Sequence, residues 1–257
     1  MTDDALALAR ENFRHASTHT ATMESTDIGG IGTKGEHMLH AIIKQYLSAN
    51  LSCHEQKVGR YEADVKLGES IFEVQTRRFD RLYSKVAAFL EDYEVTVVYP
   101  IAATKYLSWY DPETRNFSDP RKTPKKGSLS EGFYEIFFLR DFLTHPRFHV
   151  RLLLLDMYEY RSLTGWGKDK KRHAPRIERL PGTLMDDVTL SCPQDYADFL
   201  PAGLTAFTVK ELAKALKLRD EPARRAVHVL LKLGMVEECG KDGRAKRYLL
   251  REEYRHV

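Results

Sequence analysis

Apolar positions recur at helical spacing from residue 38. Met38, Leu39, Ile42, Ile43, Tyr46 and Leu47 form one face, which predicts an amphipathic helix opening near Lys34. Strand-like runs follow between Ser52 and Thr76. Leu82, Val86, Phe89, Leu90 and Tyr93 then share a second helical stripe. Val95–Ile101, VTVVYPI, is a continuous β-branched run, the pattern of a strand buried on both faces in a parallel sheet. The order helix, three strands, helix, strand predicts an α/β fold, a mixed β-sheet flanked by helices.

Before this core, residues 1–33 hold a short helix over Asp4–Phe13 and then a polar, glycine-rich lead-in. After it, Lys105–Tyr110 reads as a strand and RKTPKKG, Arg121–Gly127, as a basic loop. Ser128 and Glu131 have capping-box spacing for a helix through Phe142, and Phe148–Tyr158 returns as a strand. Residues 162–203 read as a connector; between Lys168 and Arg179 it carries six Lys/Arg against two acids. The last 55 residues change rhythm. Thr208 and Glu211 cap a helix, RDEP turns the chain, and a helix from Pro222 buries Ala226, Val229, Leu230 and Leu233. Gly234 ends it, and two strands follow around a basic, glycine-containing turn.

Composition changes this picture little. Of 257 residues, 42% are hydrophobic and 11% aromatic, enough for a packed core, and the net charge of +3 names no partner. Cys53, Cys192 and Cys239 are far apart, without a CxxC pair. Neither a disulfide framework nor a zinc knuckle is expected, and a cytoplasmic location is. The opening segment does not read as a signal peptide, and no apolar run is long enough for a membrane span. GIGTKG, Gly30–Gly35, fits GxGxxG literally, but no strand-like run precedes it, so dinucleotide binding is not expected.

YEADVKLGESIFEVQTRR, Tyr61–Arg78, carries the candidate chemistry. With Gly68 and Glu69 at the centre of a tight turn, Leu67 faces Ser70, Val65 faces Phe72 and Asp64 faces Glu73. Opposed side chains share a face, so two acids meet where sheets normally pair opposite charges. A divalent cation reverses that penalty, since Mg²⁺ takes oxygen ligands and often only one or two carboxylates. An ordinary solvated hairpin face is the alternative. A second two-residue turn at Gly59-Arg60 would add Glu55 and Lys57 to the acids' face.

The residues from Lys34 to Ile101 resemble the PD-(D/E)XK, restriction-endonuclease-like nuclease superfamily. Asp64 matches the first acid of its motif and Glu73-Val74-Gln75 the second element. Glu36, in the first turn of the leading helix, matches an acid often found there. The resemblance implies that Asp64 and Glu73 bind Mg²⁺ or Mn²⁺, with the Val74 carbonyl and with Glu36 in support. Ala63 stands where the motif has proline, and Gln75 where it has lysine. Glutamine can orient a water but carries no charge. Lys57 and Lys85 are the candidates to supply the missing lysine, and Gln75 would position the nucleophile.

Residues 204–257 resemble a winged helix-turn-helix. That implies DNA contact by Arg224 and Arg225 on the second helix and by Lys241, Arg244, Lys246 and Arg247 on the wing. The expectation is a metal-dependent DNA endonuclease: a nuclease-like domain over 34–161, a connector over 162–203 and a DNA-binding module over 204–257. A homodimer is expected, because one such site cuts one strand. The rival readings are a non-catalytic DNA-binding regulator and a protein-interaction module.

Overall fold

A computed structural model describes residues 2–25, 38–162 and 175–256. The expected α/β class holds, with a large mixed sheet flanked by helices. Helix α1 (Asp3–Ser25) runs well past the predicted Phe13, and α2 (Met38–Leu47) buries Leu39, Ile42 and Ile43. Glu36 and the GIGTKG segment lie outside the described residues.

Strands β1 (His54–Val58), β2 (Tyr61–Leu67) and β3 (Ser70–Val74) form the expected meander. Gly68, at φ +57, makes the β2–β3 turn. The ladder pairs Val65 with Phe72, Lys66 with Ile71 and Leu67 with Ser70. Helix α3 (Tyr83–Phe89) crosses over to β4 (Glu94–Asp111), which pairs parallel with β3. Val95, Val97 and Val98 are fully buried, as the β-branched run predicts.

Four differences stand out, and in the strands an unpaired position, an edge or a bulge tolerates residues that read as breakers. First, β4 is one 18-residue strand rather than two. Pro100 lies beyond the last β3 pairing, Val74 with Val98, so β3 asks no N–H of it. Second, the expected basic loop is a strand. Here β5 (Asn116–Phe117) and β6 (Arg121–Lys126) both pair antiparallel with β4, and a register shift near Pro124 absorbs its missing donor. Third, the segment from Leu129 to Phe142 is not one helix. A 3₁₀ turn, the single α-helical turn α4 (Phe133–Ile136) and a second 3₁₀ stretch follow one another, and Leu139 leaves helical geometry. Fourth, the connector supplies a strand. β7 (Phe148–Ser162) is followed by β8 (Arg176–Leu190), last in the order β1-β2-β3-β4-β7-β8. Pro181-Gly182 reads as a turn but sits in this edge strand. A Cβ at Gly182 would come within 3.1 Å of the Tyr158 ring.

Helix α5 (Pro193–Ala197) leads to β9 (Ala206–Thr208), α6 (Val209–Ala215), α7 (Asp220–Lys232), β10 (Val236–Asp242) and β11 (Ala245–Leu250). The last two strands and β9 form a small sheet in the order β10-β11-β9. The Thr208–Glu211 capping box forms in both directions.

By compactness the chain divides into two units. One comprises residues 1–54, 100–128 and 153–187, the other 55–99, 129–152 and 188–257. Residues 188–257 thus cluster with the meander, not apart from it.

Candidate functional site

Asp64 and Glu73 meet across β2 and β3. Beyond the Val65–Phe72 pair, carboxylates take over from the backbone ladder. The Asp64 N–H donates to Glu73 Oε1 (3.2 Å), and the Val74 N–H donates to Asp64 Oδ2 (2.7 Å). Strand β3 meanwhile stays on β4, where the Gln75 N–H donates to the Val98 carbonyl (2.9 Å). The strands therefore open from each other just where the acids sit.

The solvated face expected as the alternative is absent at Glu73, which is only 1% exposed. Lys85, in the first turn of α3, pairs its ammonium with Glu73 Oε2, and lies 5.7 Å from the centre of the Phe89 ring. Burial pushes the Glu73 carboxyl up to about 7 and the Asp64 charge pushes the same way, while Lys85 pulls it down.

The donor set fits a hard divalent cation. The two facing carboxylates supply the hard oxygen donors that such an ion prefers. Among the described residues no three His, Cys, Asp or Glu side chains form a ready-made cage. A cation would thus depend on Asp64 and Glu73, with water or phosphate completing its shell.

The other candidates divide. Of the two lysines, Lys85 reaches the acids, whereas Lys57 is exposed on β1. Gln75 does not point its amide at the pair. Its Nε2 donates to the Arg78 carbonyl (3.3 Å), so it braces the turn that Arg78 makes at φ +63. Glu55, the acid that a Gly59-Arg60 turn would add, has φ +51, which breaks regular strand alternation there. Arg225, one of the expected DNA contacts, packs within the protein. Its guanidinium stacks 3.8 Å from the Tyr134 ring centre and 4.6 Å from that of Phe138, and donates to the Tyr134 carbonyl. Cation–π packing of α7 on α4 has used it. Arg224 and Arg244 are exposed, Lys246 pairs with Glu238 (2.8 Å), and Arg247 lies 3.9 Å from Glu211.

The sequence missed a second cluster. Glu159 on β7 is fully buried, with Lys105, Arg161, Arg176 and Arg179 around it. Alternation in β7 was legible, but Lys105 opens a segment read as a separate strand, and Arg176 and Arg179 lie in the segment read as a connector.

No solved structure matches this chain. An uncharacterized protein of Treponema pallidum (strain Nichols) is 32% identical over 231 residues, covering 85% of this chain and 86% of that relative. A family model matches residues 37–191, a span that holds Asp64, Glu73, Lys85 and Glu159. On that match the chain belongs to the family described as Domain of unknown function (DUF8091).

Proposed function

We propose that this protein is a metal-dependent nuclease acting on DNA, with a nuclease-like core around β2, β3 and β4 and a C-terminal winged helix as targeting module. One observation carries the reading: two carboxylates converge where β2 and β3 part, with a lysine ammonium on one of them. Opposed acids cost stability unless a cation or proton joins them, and a divalent ion bound by both would offset their repulsion.

Asp64 and Glu73 would hold Mg²⁺ or Mn²⁺. The ion, when bound, would polarise a phosphodiester and lower the pKa of a water. Lys85 supplies the positive charge that Gln75 does not. Its Nζ carries a proton at Glu73 Oε2 and is suited to orient an attacking water or steady a developing charge on phosphate. Gln75 acts through the backbone turn at Arg78 and so is a positioning residue.

The test is plasmid incubation with Mg²⁺ or Mn²⁺. Asp64→Ala, Glu73→Ala and Lys85→Ala are each expected to lose roughly two orders of magnitude or more in cleavage rate. Cleavage by Asp64→Ala at the wild-type rate overturns the proposal. The specific observation behind a second reading is the Glu73–Lys85 ion pair, which can serve as a structural substitute for a metal. In a non-catalytic DNA-binding regulator the wild type binds DNA in chelator and cuts nothing in either metal.

A further inference from the structure

Glu159 presents an imbalance of charge. One fully buried carboxylate takes Lys105 Nζ at 3.2 Å, Arg179 Nε at 3.4 Å and Arg176 Nε at 3.6 Å. Arg161 grips it with Nε at 2.6 Å and with its Nη2. One negative charge needs one partner; Lys105, Arg161 and Arg179 alone bring three.

The cations are held, not spent. Their side chains are 33%, 34% and 19% exposed, so each has one side on Glu159 and another toward water. A guanidinium has five N–H donors and an ammonium three. Arg161 uses two on the carboxylate and Arg179 one. Donors fixed this way have less side-chain entropy to lose on meeting an anion, and Arg forks match phosphate oxygens.

The cluster also extends sideways. Lys105 is on β4, Arg161 on β7 and Arg179 on β8, three neighbouring strands. On the other flank of β4 lies β6, whose exposed Arg121 pairs with Leu107, two residues on from Lys105 and so on the same face of the sheet. Strands lie ~4.8 Å apart, so four of them span about 14 Å. That is several phosphate spacings of a nucleic-acid strand at ~3.4 Å rise each, and more than one phosphate ion needs.

We propose that β6, β4, β7 and β8 carry a phosphate-binding surface for a nucleic-acid backbone, with Glu159 as the anchor that holds its central cations. The binding of phosphate groups is argued from the cluster itself; its assignment to nucleic acid rests on the proposed function above. Glu159 is a positioning residue and touches no ligand.

The test is fluorescence anisotropy of a labelled DNA duplex in chelator, across a salt series. Lys105→Gln with Arg179→Gln leaves the two-point Arg161 grip on Glu159, so the buried charge stays paired. Affinity is expected to fall about tenfold and the slope of log K against log salt to shrink by roughly 1 to 2. A control pair, Arg14→Gln with Arg60→Gln, removes two exposed cations elsewhere and is expected to change neither. Equal losses in both pairs, or none in the first, overturn the proposal. Circular dichroism melting verifies folding; if the double variant is unfolded, each single substitution takes its place under the same criteria. Inorganic phosphate or ATP that binds at the cluster while duplex DNA does not overturns the backbone as the ligand. Cleavage in Mg²⁺ is read separately. Wild type that binds through the cluster but never cuts sinks the nuclease reading and leaves this one; wild type that cuts but binds DNA no better than the double variant does the reverse.

Discussion

Glu73 and Glu159 are buried carboxyl groups with opposite titration behaviour. Burial and Asp64 raise Glu73 from 4.5 to about 7 against the pull of Lys85. Between those values the folded chain keeps a proton that the unfolded chain has released, so stability falls as pH rises through that window. The full effect is on the order of 3 kcal/mol. Glu73→Gln is therefore expected to gain stability over wild type near pH 8 and to lose that advantage near pH 5, as read by denaturant unfolding at each pH. An advantage independent of pH would show that Glu73 does not titrate there. Lys85→Ala is expected to move the Glu73 carboxyl further up, visible by carbon NMR titration, because it removes the positive charge that lowers it. At Glu159 burial also pushes upward, but Arg161 and Lys105 outweigh it and hold the carboxyl at about 2. Its contribution is present above 4.5 and is lost as pH falls toward about 2. The two acids of the first site were legible in the sequence because their spacing about Gly68 fixes which residues oppose. The burial of Glu73 was not, since it depends on what covers β3.

At the scale of elements, the β2–β3 hairpin and α7 make contrasting demands. Gly68 holds φ +57 in open space, where an added Cβ meets nothing within 4 Å. Gly68→Ala is therefore expected to cost only the backbone strain, about 1 kcal/mol, measured by thermal unfolding. A loss several times larger would mean that the turn packs against something. Arg225 is different. It joins α7 to the α4 region through Tyr134, Phe137 and Phe138 and also meets Glu221 at 2.7 Å. Arg225→Ala is expected to destabilise by roughly 1–2 kcal/mol, whereas Arg224→Ala, on the exposed side, stays within about 0.5 kcal/mol. Equal effects would refute this packing role for Arg225. The amphipathic periods of α2, α3 and α7 were readable because a helix needs only its own spacing to declare a buried face. Strands β6 and β8 were not, because Pro124, Pro181 and Gly182 carry turn signals that an edge strand or a bulge accommodates.

For the molecule as a whole, residues 188–257 form one compact unit with 55–99 and 129–152. Phe133 packs edge-on to Phe199 at 5.9 Å and lies tilted against Tyr196 at 6.3 Å. Chain truncated after residue 187 is therefore expected to expose this aromatic cluster and to be insoluble or to melt without cooperativity. A soluble truncation with a sharp melt would mean that the C-terminal part is an independent module. Symmetric cutting of a duplex calls for two sites. Light scattering of Asp64→Ala protein on DNA is expected to give two copies of the 29.7 kDa chain, and a mass of one copy per duplex would oppose that assembly. Among the described residues no helix is long and apolar enough to cross a membrane.

The sequence by itself determined the α/β class, the helix–meander–helix–strand order, the hairpin register and the Thr208 cap. Each follows from local periodicity, turn chemistry or spacing of a few residues. Tertiary structure alone decided which lysine meets Glu73, what Arg225 packs against, and that Glu159 gathers cations from β4, β7 and β8. Those depend on strands far apart in the chain becoming neighbours, and no local pattern encodes which side chains then share a face.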